Sequence, residues 1–141
     1  MMLPIALSAA GAAALVNFWL SLRCATIRSA EEIWVGDGGN ARLTARMRAH
    51  SNFAEYTPVV LILIALVEWA TGSPLWLAVV AGIFVLGRVL HALGMDGWRP
   101  GRFAGMLFTA PIMIGLALYA MTIPWLPAAA PTAAPPAAVA H

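Results

Sequence analysis

The sequence predicts an all-α fold, a bundle of four transmembrane helices. Of its 141 residues, 62% are hydrophobic and only 10% are charged, whereas a soluble domain carries about 25% charged residues. Four apolar segments are each long enough to cross a bilayer, which takes about 20 residues in a helix. They form one predicted domain over residues 1–126. A Pro/Ala-rich tail, residues 127–141, follows it.

The first predicted span covers about Leu3 to Leu22. A signal peptide would need a basic n-region and an apolar run of about 7–15 residues. This segment has no basic residue before Arg23 and a longer apolar run, so we interpret it as a retained helix. The polar loop 23–40 follows, and its Gly-Asp-Gly-Gly indicates a turn, because glycine adopts positive φ without a Cβ clash. No strand precedes it, which disfavours a phosphate-binding loop.

The remaining spans are predicted at about 41–70, 75–93 and 103–125. Pro58 lies inside the second span, which membrane helices tolerate where neighbouring groups satisfy the freed backbone. A second polar loop, 94–102, separates the third span from the fourth.

The arginines predict the orientation of the bundle. The chain has eight arginines and no lysine, and four spans place all eight near one membrane face: Arg23, Arg28, Arg42, Arg46, Arg48, Arg88, Arg99 and Arg102. Because basic residues mark the cytoplasmic side, we expect loops 23–40 and 94–102 in the cytosol and both termini outside it. No basic patch is interleaved with aromatic residues on a soluble face, so no nucleic-acid partner is expected.

A polar stripe opens the second span. Arg48, Asn52 and Glu55 are spaced i, i+4 and i+7, so they share one helix face. An arginine can bind a carboxylate bidentately, an acid can bind an ammonium, and an amide can both donate and accept hydrogen bonds. The stripe therefore predicts a zwitterionic ligand. Arg42 and Arg46 are interpreted as interfacial topology anchors.

Two further polar residues, Arg88 and His91, share a face of the third span. Charged groups within a span are costly and are usually paired or face a water-filled cavity. A structural ion pair between Glu55 and Arg88 is the alternative to a ligand site. The spacing of His50, His91 and the nearby acids matches no compact metal-ligand motif, so no metal is predicted.

Two segments resemble a known family. "RAHSNFAEYTPVVLILIALVE", residues 48–68, is similar to the second-helix motif of the MAPEG family, the membrane-associated proteins in eicosanoid and glutathione metabolism. "GRVLHALG", residues 87–94, is similar to its third-helix motif, and the Gly-Asp-Gly-Gly turn resembles a small bacterial branch of unassigned function. The resemblance covers about residues 1–125. It implies a homotrimer in the bacterial inner membrane.

The resemblance also implies a ligand, glutathione, bound as a cosubstrate between neighbouring subunits at the cytosolic end. Matched by motif, Arg48, Asn52 and Glu55 would hold its carboxylates and ammonium, and Tyr56 belongs to the same motif. Arg28 would line the pocket from the adjacent subunit.

On the third helix, the resemblance implies that Arg88 supports the polar core. His91 and Met95 stand where eukaryotic members place glutathione-contacting tyrosines, and a hydrogen bond from His91 could replace one of these. At the start of the fourth helix, Arg102 matches the arginine credited with stabilising the glutathione thiolate, with Arg99 as its rival.

Three functions follow as hypotheses. The first is a glutathione transferase or peroxidase acting on lipophilic electrophiles or hydroperoxides dissolved in the bilayer. The second is a non-catalytic glutathione-binding or membrane scaffold protein. The third, a transporter or channel subunit, is disfavoured because the charges cluster at one membrane face, whereas a pathway would need polar residues through its depth.

Overall fold

The computed structural model describes residues 2–126, which form four long helices and a short terminal turn. The helices are α1 (Pro4–Ala30), α2 (Ala41–Thr71), α3 (Leu75–Met95) and α4 (Arg99–Thr122), and a 3₁₀ turn covers Ile123–Trp125. All four helices are long and apolar enough to cross a membrane, so the predicted all-α bundle of four spans is confirmed. The predicted tail, residues 127–141, lies outside the described residues.

The first helix extends further than the predicted span. We expected a loop from Arg23, but α1 continues to Ala30. The reason is a buried stripe at helical spacing, Leu20, Cys24 and Ile27, whose last two members pack against Leu43 of α2. Only residues 31–40 remain as the connection between α1 and α2.

The connection between α1 and α2 contains the predicted turn. Gly36, Gly38 and Gly39 all have positive φ, between 58° and 74°. Asn40 then caps α2, since its side-chain oxygen accepts a hydrogen bond from the Leu43 amide at 3.0 Å. α2 continues without a break through Pro58.

At the other end of the bundle, Glu68 fixes the start of α1. No side chain at the start of α1 itself caps the helix. Instead the fully buried Glu68 of α2 accepts hydrogen bonds from the Ile5 amide at 2.9 Å and the Ala6 amide at 2.7 Å. It also accepts one from the Ser73 hydroxyl at 2.7 Å. A carboxylate at a helix N-terminus complements both the free amides and the helix dipole.

Helices α3 and α4 pack backbone to backbone through glycines. A Cβ on Gly105 would lie 2.7 Å from the Gly87 carbonyl oxygen, and one on Gly94 would lie 2.6 Å from the Cα of Arg102. Small residues of this kind allow membrane helices to approach closely. The close approach brings the start of α4 against the end of α3, where the predicted polar residues lie.

Candidate functional site

A cavity of about 510 Å³ opens between α2, α3 and α4 near the arginine-rich end of the bundle. Its volume falls in the range of about 300–1,000 Å³ that is usual for small-molecule sites. Its lining residues are Arg48, Ser51, Asn52, Glu55, Tyr56, Arg88, His91, Met95, Arg102, Met106, Thr109 and Ala110. The structure thus brings together seven of the eight predicted site residues.

The predicted stripe forms the α2 wall of this cavity. Arg48 and Glu55 lie about 10 Å apart along the helix axis, with Asn52 between them. Both charged side chains are exposed in the single chain, and within residues 2–126 neither forms an ion pair. The wall therefore presents a cation and an acid that are available to a ligand.

The α3 wall contains a buried arginine held by neutral partners. Arg88 is 3% exposed. It donates to the Asn52 side-chain oxygen at 2.6 Å and to the Thr109 hydroxyl at 3.2 Å. Its Nε atom has no partner in the described structure. The alternative, an ion pair with Glu55, is not formed within residues 2–126, where Arg88 bonds to Asn52 and Thr109 instead.

Asn52 is oriented by this contact. Its oxygen accepts from Arg88, so its amide nitrogen is left as the donor toward the cavity. Thr109 in turn donates to the Gly105 carbonyl oxygen at 2.8 Å. A hydrogen-bonded chain therefore links the α2 wall through Arg88 to α4.

The α4 wall changes from charged to apolar along its length. Arg102, Met106 and Ala110 follow at i, i+4 and i+8, so they lie on one face. Arg102 lines the cavity, whereas Arg99, three residues earlier, is not among the lining residues. The first turn of α4 also supplies positive potential from its helix dipole.

Two other predicted residues differ in their placement. His91 lines the cavity but is buried, at 6% exposure, and its Nδ1 has no hydrogen-bond partner among residues 2–126. Arg28 lies away from the cavity of its own chain, where it donates to the carbonyl oxygens of Ile33 and Trp34 at 3.3 and 3.5 Å. Within one chain, Arg28 therefore supports the end of α1.

Sequence reasoning missed Thr109, Ser51, Met106 and Ala110 as lining residues. Thr109 had a usable signal, because it is a polar residue in an apolar span and lies seven positions after Arg102 on nearly the same face. The other three had none, since a serine, a methionine and an alanine are ordinary in a membrane helix.

Comparison with known proteins agrees with the geometry. Residues 6–122 match the sequence model of the MAPEG family. The chain belongs to the MAPEG family. The match confirms the resemblance carried by residues 48–68 and 87–94.

Two relatives of this MAPEG protein are the proteins named inner membrane protein YecN from Escherichia coli K12 and from Escherichia coli O6:H1. Each is 28% identical over 117 residues, a match that covers 79% of this chain and 87% of the relative. Together with the four apolar helices, the family match identifies the chain as a MAPEG membrane protein.

Proposed function

We propose that this MAPEG protein binds glutathione and activates its thiolate toward lipophilic electrophiles or hydroperoxides. The observation that carries the proposal is that Arg48, Asn52, Glu55, Arg88 and Arg102 all line the same cavity. Three arginines and one acid suit a ligand with two carboxylates, one ammonium and an ionisable thiol. The match is one of charge count.

Different residues of the cavity are proposed to bind different groups of glutathione. Arg48 is suited to take a ligand carboxylate through two parallel hydrogen bonds, and Glu55 to take the ammonium. The Asn52 amide nitrogen can donate to a peptide carbonyl between them. Arg88, already held by Asn52 and Thr109, keeps this wall rigid and adds positive potential.

Arg102 is the proposed catalytic residue. A free thiol has a pKa of about 8.5, and a neighbouring cation lowers it, so binding beside Arg102 favours loss of the thiol proton to solvent. The thiolate sulfur then attacks the electrophilic carbon. A carbon–sulfur bond forms while the leaving group departs with its bonding electron pair.

The apolar part of the cavity is the proposed entry for the second substrate. Met95, Met106 and Ala110 line it, and Met106, on the same face of α4 as Arg102, is 57% exposed. A lipophilic molecule dissolved in the bilayer would approach along this face toward Arg102.

Location and assembly form part of the proposal. The relatives are named inner membrane proteins. We assign the arginine-rich end to the cytosol, where glutathione is available. Both termini then lie outside the cytosol. A cytosol-dependent reporter fused to the C-terminus should be silent. A homotrimer would cover the exposed Arg48, Glu55 and Arg102. Light scattering in detergent should give a mass of three chains, and a monomer would contradict this.

The test of the activity is a titration of purified protein with glutathione, monitored by thiolate absorbance, beside conjugation of an aryl halide. Arg102→Leu should raise the pKa of the bound thiol toward about 8.5 and lower turnover by roughly 100-fold. Affinity should change much less, because the contact matters mainly once the sulfur is charged. Arg99→Leu is the matched control and should behave like wild type.

The outcomes separate the alternatives. No glutathione binding by wild type would overturn the proposal. Binding with neither a thiolate band nor conjugation would replace the enzyme with a glutathione-binding protein. Loss of turnover in Arg99→Leu but not in Arg102→Leu would assign the thiol contact to Arg99.

A further inference from the structure

Asp96, the residue directly after α3, joins three helices. Its carboxylate forms ion pairs with Arg23 of α1 and with Arg46 of α2, and the Arg46 Nε lies 3.2 Å from Oδ1. Arg23 also donates to the Ala92 carbonyl oxygen of α3 at 3.2 Å. We call Arg23, Arg46 and Asp96 the Asp96 clamp.

The two arginines of the clamp are braced by other contacts. Arg46 donates through Nη1 to the Arg23 carbonyl oxygen at 2.9 Å, and the Arg23 guanidinium lies over the Trp19 ring, 4.6 Å from its centre. Their side chains are only 12% and 10% exposed. Partly buried, multiply bonded pairs are screened less than surface pairs, so the clamp is a fixed connection.

A tight path leads from Asp96 to Arg102. Gly97 has a φ of 115°, and its amide donates to the Gly94 carbonyl oxygen at 3.2 Å. The Gly101 amide donates to the Trp98 carbonyl oxygen at 3.0 Å. The backbone of Arg102 then lies directly against Gly94 of α3. This short, hydrogen-bonded turn restricts the movement of Arg102 relative to Asp96.

The same clamp also holds the opposite wall. Arg46 lies two residues before Arg48 on α2, at the end of the wall formed by Arg48, Asn52 and Glu55. A bond between Arg46 and Asp96 therefore ties the α2 wall to the turn that begins the α4 wall.

We propose that Asp96 is a positioning residue that sets the separation of the α2 and α4 walls and thereby places Arg102 beside the ligand sulfur. Asp96 does not line the cavity; it acts through Arg46 and the α3–α4 turn. The catalytic consequence rests on the proposed function, whereas the effect on wall separation does not.

The geometric test measures the wall separation directly. Spin labels are attached in a Cys24→Ala background at Ala54→Cys on α2 and Phe103→Cys on α4, both exposed and outside the cavity lining. Asp96→Asn should shift or broaden the distance distribution from pulsed electron resonance. Asp37→Asn, which removes an acid bonded to Thr44 in the other loop, is the control and should leave it unchanged. An unchanged distribution in Asp96→Asn overturns the proposal.

The activity test separates positioning from mere stabilisation. Asp96→Asn should lower kcat by about tenfold or more, with little change in the KM for glutathione, and should raise the pKa of the bound thiol. Asp96→Glu keeps the charge and should retain most of the activity. An altered distance with an unchanged thiol pKa would overturn the placement of Arg102. If wild type binds no glutathione, the proposed function fails, and the distance measurement alone decides the wall separation.

Discussion

Glu55 and Glu68 are acids of one helix in contrasting surroundings. Glu68 is fully buried and accepts hydrogen bonds from two backbone amides of α1 and from the Ser73 hydroxyl. Glu55 lines the cavity, is exposed, and has no ion-pair partner within residues 2–126. The Glu68 carboxylate accepts its hydrogen bonds from the protein, whereas the Glu55 carboxylate remains available to a ligand.

The difference distinguishes a structural acid from a binding acid. Burying a charge is costly unless it is bonded, so a carboxylate in the position of Glu68 is retained only with its donors in place. An unpaired carboxylate at the mouth of a cavity contributes little to folding, but it can exchange solvent for a ligand cation. Substitution of Glu68 should therefore lower the stability of the fold, whereas substitution of Glu55 should weaken ligand binding.

The largest expected effect is on folding. Glu68→Ala removes the cap of α1 and leaves the Ser73 hydroxyl and the two amides of α1 without their acceptor. We expect a loss of about 3 kcal/mol in the free energy of unfolding, measured by denaturant-induced or thermal unfolding in detergent. Glutathione affinity of the folded fraction should be unchanged.

Glu68→Gln is the matched variant, because it keeps one acceptor oxygen and should lose roughly half as much stability. If Glu68→Ala unfolds like wild type, the contacts at the start of α1 do not stabilise the bundle and the contrast with Glu55 disappears.

The next effect is on binding. Glu55→Gln keeps the shape of the side chain and removes its charge, so a contact worth about 1.5–3 kcal/mol with a ligand ammonium is lost. Calorimetry should show a roughly 10- to 100-fold weaker affinity for glutathione, with the free energy of unfolding within about 0.5 kcal/mol of wild type. Arg48→Lys should weaken binding too, since lysine cannot make the planar fork. Unchanged affinity in both variants, together with lower stability, would make this stripe structural.

The smallest effect concerns the acids of the two polar loops. The Thr44 hydroxyl and the Gly39 amide lower the pKa of Asp37. Burial opposes ionisation of Asp96, but hydrogen bonds and charges from Arg46 and Arg23 leave its pKa below the usual value. For a lowered pKa, the stabilisation is present above the unfolded value of about 3.9 and is lost as the pH falls through the folded value.

The melting temperature should therefore fall below about pH 4, and less steeply in Asp96→Asn than in wild type. Asp37 forms no ion pair within residues 2–126, so Asp37→Asn should change the fall in melting temperature at low pH less than Asp96→Asn does. If the melting temperature of Asp96→Asn falls at low pH as steeply as that of wild type, the Asp96 clamp contributes nothing to stability.

Several features of this protein could be determined from its sequence. The lengths of the apolar segments predicted the four spans. The i, i+4, i+7 spacing predicted that Arg48, Asn52 and Glu55 share one helix face, and all three line the cavity. The Gly-Asp-Gly-Gly segment predicted a turn with positive φ. These inferences succeed because they depend on local geometry, which neighbouring residues determine.

The contacts between helices were decided only by the tertiary structure. It pairs Arg88 with Asn52 and Thr109 instead of Glu55, and it directs Glu68 to the start of α1. It likewise places Arg102 in the cavity and gathers the Asp96 clamp. In a membrane helix the faces toward lipid and toward protein are both apolar, so the hydrophobic pattern does not encode helix rotation. Depth and rotation are set by close packing, as at Gly94 and Gly105, and only the assembled bundle reveals them.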